Sequence, residues 1–536
     1  MRIGIDVGGT NTDAVLMDGD SVLADAKVTT TPDVTDGIVR AVQHLREQRD
    51  FDPAALTGVM LGTTHFINAI VEARDLAPTA AVRLGLPATQ SLPPLVGWPD
   101  NLVSAIGGHT YLCHGGHEYD GRVISELDPG ELHRIADELA AAEVRSVAIT
   151  SVFSLVNSEF ELRAAEILAE RLPGLRVSLS HEVGRTGLLE RENATVINAA
   201  LGELAERICD GMVATLRTIG LHAPLYLSQN DGTLMGVDYA RQYPVMTFAS
   251  GPTNSMRGAA YLSGVDDCAV VDVGGTTTDV GMLHRGFPRE ASTEVSVGGI
   301  RTNFRMPDVL SFGVGGGSLV RQDGADVEVG PDSVGYRLQD EAVVFGGKTL
   351  TATDLVVAAG RARIGDPQRV ASLDRDLVRA GLGYVTDRIT GTIDRMRTSR
   401  EPVPVVLVGG GSVLLPEEFP LASSVLRPEQ FAVANAVGAA IAQISGDVDR
   451  IFAIQPGQRD AALDTAKQEA TDRALIAGAG PGTVEIVEVE EIPLAYLPGN
   501  ATRIRVKAVG DLAPGSAPSS ARSSAPSPAT HGRGIS

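Results

Sequence analysis

Cysteine is nearly missing from this chain. Three in 536 residues (Cys113, Cys209 and Cys268) stand far apart with no paired spacing, so no disulfide framework is expected and the thiols read as reduced. No apolar run approaches the roughly 20 residues needed to cross a bilayer. MRIGIDVGG enters its first strand at once, so a signal peptide is not expected and the cytoplasm is the expected compartment. Basic residues are also scarce. Forty-five Lys and Arg against 67 Asp and Glu leave a formal charge of −22, which argues against a nucleic-acid partner. A Walker loop is lacking too. Phe345-Gly346-Gly347-Lys348-Thr349 looks like the end of one, but Ala342 occupies its leading glycine position.

What is present is a repeated stretch. Ile5–Leu16, IDVGGTNTDAVL, reappears as Val270–Met282, VVDVGGTTTDVGM, and from Asp6 to Asp13 and Asp272 to Asp279 the octets differ only at Asn11 versus Thr277. Each is an apolar run ending in Asp, then Gly-Gly-Thr-polar-Thr, then Asp and a second apolar run. That pattern predicts strand, glycine turn, strand. A Gly-Gly turn points backbone N–H groups into one concavity, where phosphate oxygens bind and flanking hydroxyls add donors. An Asp at the end of each first strand puts a hard carboxylate where it can hold Mg²⁺, directly or through water. Two such hairpins face to face would clamp the phosphates of a nucleotide.

A length of 536 residues is too great for one core, so two or three domains are expected. Three strands in hairpin order, then helix–strand units, predict an α/β lobe over residues 1–190, decorated by an irregular segment, 76–128, rich in Pro and Gly. Arg191–Leu216 reads as one or two helices opening a second lobe, 191–446. That lobe carries the second hairpin, a glycine loop after a buried strand (Val403–Pro416) and a small-residue helix, Ala434–Gly446. Residues 447–512 read as a small α+β appendage. Residues 513–536 are mostly Ala, Pro, Ser and Gly with no large apolar residue before Ile535, and are expected to be disordered.

The two hairpins, the glycine loop Val408–Ser412 and the small-residue helix, in that order, resemble the actin, sugar kinase and Hsp70 ATPase superfamily. Within it the chain is similar to the hydantoinase A/oxoprolinase family. That family's runs GTTxxxNAxxE, GGxEYDGR, QxDG and SGPxxxxxGA correspond to Gly62–Glu72, Gly115–Arg122, Gln229–Gly232 and Ser250–Ala259, between the two DxGGTxTD hairpins. The resemblance runs from the start to about Gly446. It implies a duplicated actin-like (ribonuclease H-like) fold of two lobes around a nucleotide cleft, with ATP and Mg²⁺ as cofactors. It also implies an ATP-dependent subunit that opens a cyclic amide by phosphorylating its carbonyl oxygen, in an oligomer with a separate B-type subunit. The ATPase subunit of a ketone carboxylase, a small-molecule kinase and a nucleotide-switched reactivating chaperone are the alternatives. Two departures bear on the substrate: Thr253-Asn254-Ser255 replaces Ala-Gly-Gly after SGP, and Arg191-Glu192-Asn193-Ala194-Thr195 replaces an ERTSTTV-like helix start.

The expected nucleotide contacts are Gly8, Gly9, Thr10, Asn11 and Thr12 with Gly274, Gly275, Thr276 and Thr277; the resemblance adds Gly409, Gly410, Gly411 and Ser412 at the adenosine. Asp6 and Asp272 are the expected Mg²⁺ residues. Asp13 and Asp279 suit either a catalytic role or closure of the turns through their N–H groups. Thr63, Thr64, Asn68, His117, Asp231 and Asn254 lie on loops at predicted strand ends, where an acceptor would be held. Gly313–Ser318 fits either a loop near phosphates or a flexible turn. His109, Cys113, His114 and His117 have thiolate and imidazole chemistry suited to zinc, but their spacing matches no common closed site. By the resemblance to GGxEYDGR, His117, Glu118 and Asp120 instead shape a substrate-side loop.

Overall fold

The computed structural model describes residues 1–30, 34–291, 295–324, 326–454, 457–494 and 501–513. Residues 514–536, nearly all of the tail expected to be disordered, lie outside them. The amino-terminal octet forms the predicted hairpin. Strands Arg2–Val7 and Asn11–Asp18 pair antiparallel with Asp6 opposite Asp13, and Ser21–Thr29 adds the third strand. Val59–Thr63 then pairs parallel to the first strand on its other side. The second octet repeats this. Cys268–Val273 and Thr278–His284 pair with Asp272 opposite Asp279, Val309–Phe312 is the third strand, and Val403–Val408 runs parallel to the first.

Both hairpin strands run from an apolar, fully buried stretch to an Asp at the turn. Both faces are covered: Ile3, Ile5, Ala14 and Leu16 pack in one core and Val15 in another, as Ala269, Val271 and Val280 do in one and Val270 in another. A one-residue slip would send each side chain into the wrong one of the two cores, so packing on both faces sets the register that places the carboxylates side by side.

The first hairpin belongs to a nine-stranded mixed sheet. It continues through Val59–Thr63, Leu225–Ser228, Leu234–Gly236, Ile444–Ala453 and Ala501–Gly510 to Glu485–Pro493 at its edge. The strands after residue 443 thus extend this sheet, with Ile444 in parallel register with Leu234. The second hairpin belongs to a six-stranded mixed sheet that includes Phe287–Pro288 and Ala422–Leu426. The architecture is α/β with mixed sheets.

The sequence predicts irregular chain over Leu76–Asp128; the structure corrects this. Thr79–Leu86, His109–His114 and the helix Asp100–Ile106 lie there, and the two strands join Ser146–Ser151 and Arg176–Leu179 in an all-parallel four-stranded sheet. Arg191–Leu216 proves to be part of a single helix, Leu188–Thr218. Every residue from Arg191 to Gly202 is buried, as expected of a helix covered on all sides. It packs against Ser146–Ser151 and Arg176–Leu179 of the parallel sheet and against the strand Ile300–Thr302.

Two helices bring the hairpins together. Ser250–Ser263 crosses Ala434–Ile441 at glycine: a Cβ on Gly258 would lie 1.8 Å from the Ala434 oxygen, and one on Gly438 1.8 Å from the Asn254 oxygen. No side chain fits either position. The polar residues beside this crossing reach the carboxylates.

Candidate functional site

The two turns meet. Thr10 Oγ1 and Thr276 Oγ1 are 3.3 Å apart although 266 residues separate them in the chain. Each turn is closed in the same way, by Gly8 N–H donating to the Asn11 oxygen at 3.0 Å and Gly274 N–H to the Thr277 oxygen at 2.9 Å. Gly8, Gly274, Gly275, Thr10 and Thr276 are half-buried, while Gly9 and Thr277 are exposed. Thr12 differs from its neighbours: fully buried, its hydroxyl lies 3.3 Å from that of Thr30 and faces Gly37 of the next helix.

Four carboxylates lie behind the turns. Like charges directly opposite on paired strands repel, and the surroundings answer this differently in each hairpin. In the first, Asn435 Nδ2 donates to Asp6 Oδ2 at 3.0 Å and to Asp13 Oδ2 at 2.8 Å, and Asn254 Nδ2 donates to Asp6 Oδ1 at 3.2 Å. Lys27, opposite Asp13 in register, donates to Asp13 Oδ1 at 2.6 Å. In the second, Ser255 donates to Asp272 and Ser311 to Asp279. Burial, aided by the charges of Asp13 and Asp272, lifts the Asp6 carboxyl to about 6 against the Asn254 and Asn435 bonds. Burial and the Asp272 charge lift Asp279 to about 6, and Asp272 itself is raised by burial. Hard oxygen ligands that repel one another in a low-dielectric setting suit a hydrated divalent cation. Among the described residues no three His, Cys, Asp or Glu side chains cluster to hold a metal. A cation here would therefore rely on Asp6, Asp272 and water.

Glycines set the walls. A Cβ on Gly62 would meet Asp6 Oδ1 at 2.2 Å, and one on Gly409 would meet Asp272 Oδ1 at 2.1 Å. The loop Gly409–Ser412 therefore lies directly on the second hairpin, with Gly411 close to the Gly274 oxygen, Gly410 exposed, and Ser412 buried with no partner for its hydroxyl. Gly313–Ser318 also proves to be ordered around that turn: Gly316 and Gly317 N–H donate to the Gly274 and Gly275 oxygens at 3.0 and 2.7 Å.

The remaining predicted residues divide. Thr63 is buried beside Asp6, its backbone N–H and oxygen both bonded to the Ser250 hydroxyl and its own hydroxyl 2.8 Å from His65 Nδ1. Thr64 and Asn68 open the following helix, with Asn68 Nδ2 donating to the Thr64 hydroxyl at 3.5 Å. Asn254 reaches Asp6, and its own Oδ1 is buried without a partner. Asp231 is held elsewhere, by Lys507 at 2.7 Å and by the Thr233 hydroxyl at 2.6 Å. His117 is buried against the Phe160 ring, 4.5 Å between centroids, beside the parallel sheet. His114 pairs with Glu131 at 2.8 Å and Cys113 is buried. With His109, these form no metal-binding group among the described residues.

Sequence reasoning missed Lys27, Asn435, Ser250 and Ser311. Lys27 had a signal: a lone cation on the third strand, at the alternation position facing Asp13. Asn435, the one polar side chain in ANAVGAA, had another.

Comparison with known proteins follows the same outline. Residues 2–172 match the hydantoinase/oxoprolinase N-terminal region and residues 191–396 match hydantoinase/oxoprolinase. The chain belongs to the hydantoinase/oxoprolinase family. It is 28% identical over 390 residues to the caprolactamase subunit alpha of Pseudomonas jessenii, covering 67% of this chain and 54% of that one. It is 27% identical over 396 residues to the acetophenone carboxylase gamma subunit of Aromatoleum aromaticum, covering 67% and 53%. This chain therefore spans about half the length of those relatives. The solved structure of ATP-dependent caprolactamase from Pseudomonas jessenii shares the fold, with a TM-score of 0.77 at 20% identity over 96% of this chain and 88% of that one. Nucleotide-free acetone carboxylase gives 0.68 at 17% identity over 95% and 88%. No helix among the described residues is long and apolar enough to cross a membrane.

Proposed function

We propose that this chain is the ATP-dependent subunit of a cyclic amide hydrolase, of the hydantoin, 5-oxoproline or lactam type. It would transfer the terminal phosphoryl group of ATP to the amide oxygen of the ring. The observation that carries this is the approach of the two Gly-Gly-Thr turns, 3.3 Å apart at Thr10 and Thr276, with four carboxylates behind them. Phosphoryl transfer asks mainly for positioning and charge neutralisation. Backbone N–H groups of Gly9–Asn11 and Gly275–Thr277 would hold the phosphates, with the Gly8 and Gly274 N–H groups closing the turns, and Gly409–Ser412 would meet the adenosine. Asp6 and Asp272 would hold Mg²⁺ through water, and that ion would supply charge neutralisation at the phosphates. In this reading the two similar halves are duplicated actin-like lobes around a nucleotide cleft; the expected boundary at 190/191 is corrected, because Leu225–Ser228 and Leu234–Gly236 pair into the first hairpin's sheet.

Phosphorylating the ring oxygen draws electrons from the ring carbon, so water adds there and the carbon–nitrogen bond breaks. The ring nitrogen leaves as the amine, and the acyl phosphate passes its phosphoryl group to a second water. The relatives named as subunits of caprolactamase and of the carboxylase support a partner chain; in this reading it would be a B-type chain, and the hetero-oligomer would be cytoplasmic. For holding the acceptor, Asn254 bonds to Asp6 and Thr63 follows Gly62, which lies against it, while Thr64 and Asn68 begin the helix that comes next. Asp231 and His117, already held by their neighbours, fit that role less well.

Kinship with acetophenone carboxylase and acetone carboxylase subunits favours a second reading, in which a ketone with bicarbonate is the acceptor. The test is ADP release with Mg²⁺ across lactams, hydantoins, 5-oxoproline, and ketones with bicarbonate, each with and without the candidate B-type chain. Stimulation by a cyclic amide, lost in Asp272→Ala, supports the hydrolase. Stimulation only by ketone plus bicarbonate supports the carboxylase, and stimulation by neither defeats both.

A further inference from the structure

The two hairpins match residue for residue until the third strand. In the first sheet Asp13 is paired in register with Lys27; in the second, Asp279 is paired with Ser311. One duplicated position thus carries an ammonium in one half and a hydroxyl in the other. Each reaches its own Asp, Lys27 at 2.6 Å and Ser311 by a short hydrogen bond. Among the described residues, Lys27 is the one cation paired with any of the four carboxylates. Its position is central as well. Nζ also donates to the Ala432 oxygen at 3.0 Å, just before the helix that carries Asn435, and a Cβ on Gly410 would lie 3.8 Å from Lys27 Cε. The ammonium therefore lies within reach of three elements of the site at once: the first hairpin, the start of the Asn435 helix and the glycine loop against Asp272. Its side chain is 35% exposed while that of Asp13 is 5% exposed, so one side of the ammonium stays open.

A lysine serving only to neutralise Asp13 would need neither this openness nor this centrality. Asn435 already gives Asp13 a hydrogen bond. An ammonium has three donors on a flexible stem, and two are engaged here. We propose that the third is directed to the phosphoryl group in transfer, making Lys27 a catalytic residue of the phosphoryl-transfer step. This rests on the ATP-dependent reading above. No bond forms to Lys27 and it keeps its proton. As the phosphorus–oxygen bond to ADP breaks and the bond to the acceptor oxygen forms, its charge faces the equatorial phosphoryl oxygens, while Asp13 and the Ala432 oxygen hold the side chain in place.

The experiment compares ADP release by the wild-type chain, with its partner and stimulating substrate, against Lys27→Met, Lys27→Arg and Lys27→Met/Asp13→Asn. Binding of a fluorescent ATP analogue and the melting temperature are followed in parallel. The expected result is a fall in kcat of about 10²–10³ in Lys27→Met with KM for ATP changed less than tenfold, as for a group acting mainly in the transition state. Lys27→Arg should restore at least a tenth of the wild-type rate. In the double variant the melting temperature should return to the wild-type value while kcat stays low, because the buried carboxylate no longer lacks its partner but the phosphoryl group still does. Recovery of kcat in the double variant would overturn the proposal and leave Lys27 as a structural counterion of Asp13. An unchanged kcat in Lys27→Met would overturn it as well. A wild-type chain that neither binds nor turns over ATP would remove the ATP-dependent reading itself, a result distinct from either.

Discussion

The two hairpins are built to one plan and supported by two chemistries. Asp6–Asp13 and Asp272–Asp279 have the same turn closure, the same cross-strand pairing of carboxylates and a glycine pressed against the first Asp. Around the first, amides and an ammonium do the holding: Asn254, Asn435 and Lys27. Around the second, two serine hydroxyls do it: Ser255 and Ser311. The backbone plan alone thus suffices to build two like turns and bring them together. What surrounds the carboxylates decides how much unbalanced negative charge each half carries. The second half has no cation paired to Asp272 or Asp279 among the described residues, so a divalent ion, if bound, would relieve more repulsion there.

If both halves serve one nucleotide, removing either leading carboxylate should be equally severe. Asp6→Ala and Asp272→Ala are each expected to lower ADP release by about 10³ or more, the scale of losing a main electrostatic contact to the reacting group. A variant at one of the two that keeps turnover within tenfold of wild type would break the equivalence and leave one hairpin as scaffold. Next come the glycines. Gly62→Ala forces a methyl group against Asp6 and should cost roughly 1–3 kcal/mol, as overpacking does. Gly409→Ala does the same at Asp272 but also has a φ of +79° to satisfy, which adds about 1 kcal/mol more. Chemical denaturation of the two variants should therefore rank Gly409→Ala below Gly62→Ala. The reverse ranking would mean that the second loop yields more readily than its contacts imply.

Much of this site was legible because it was written twice. The repeated octets give strands, turns and carboxylates without any long-range information. Lys27 was visible only to a reader who carried the alternation into the third strand. Asn435, 429 residues from Asp6, belonged to a helix whose small residues pointed to packing and hid its polar role. The parallel sheet over Thr79–Leu179 was misread for a physical reason. Its central strand is buried along nearly its whole length yet carries Arg83, which reads as an exposed position until its bidentate pairing with Glu192, 109 residues away, is known. The neighbouring strand, HTYLCH, has little apolar content of its own. The strands after Ile444 were read as an appendage because nothing local says that they extend the first sheet beside Leu234.

The smallest expected effect is the most direct test of the charge comparison. Asp6 and Asp279 both titrate near 6 when folded, above the usual value near 4 for an unfolded Asp. A carboxyl that holds its proton more tightly when folded favours folding in acid, so this contribution to stability is lost as pH rises from about 4 through 6. Ser311→Lys places an ammonium opposite Asp279, at the position Lys27 holds opposite Asp13. It should pull Asp279 down toward its ordinary range and flatten the loss, adding about 0.5–1 kcal/mol at pH 7.5 and little at pH 4, since Ser311 is exposed and its pairing partly screened. Mg²⁺ alone should raise the melting temperature more at pH 7.5 than at pH 5 in the wild type, because an ionised carboxylate binds the ion and a protonated one does not. In Ser311→Lys that pH-dependent gain should shrink, the lysine having taken over part of the ion's work. A gain from Mg²⁺ equal at both pH values would place the cation away from these carboxylates and remove the electrostatic difference between the two hairpins.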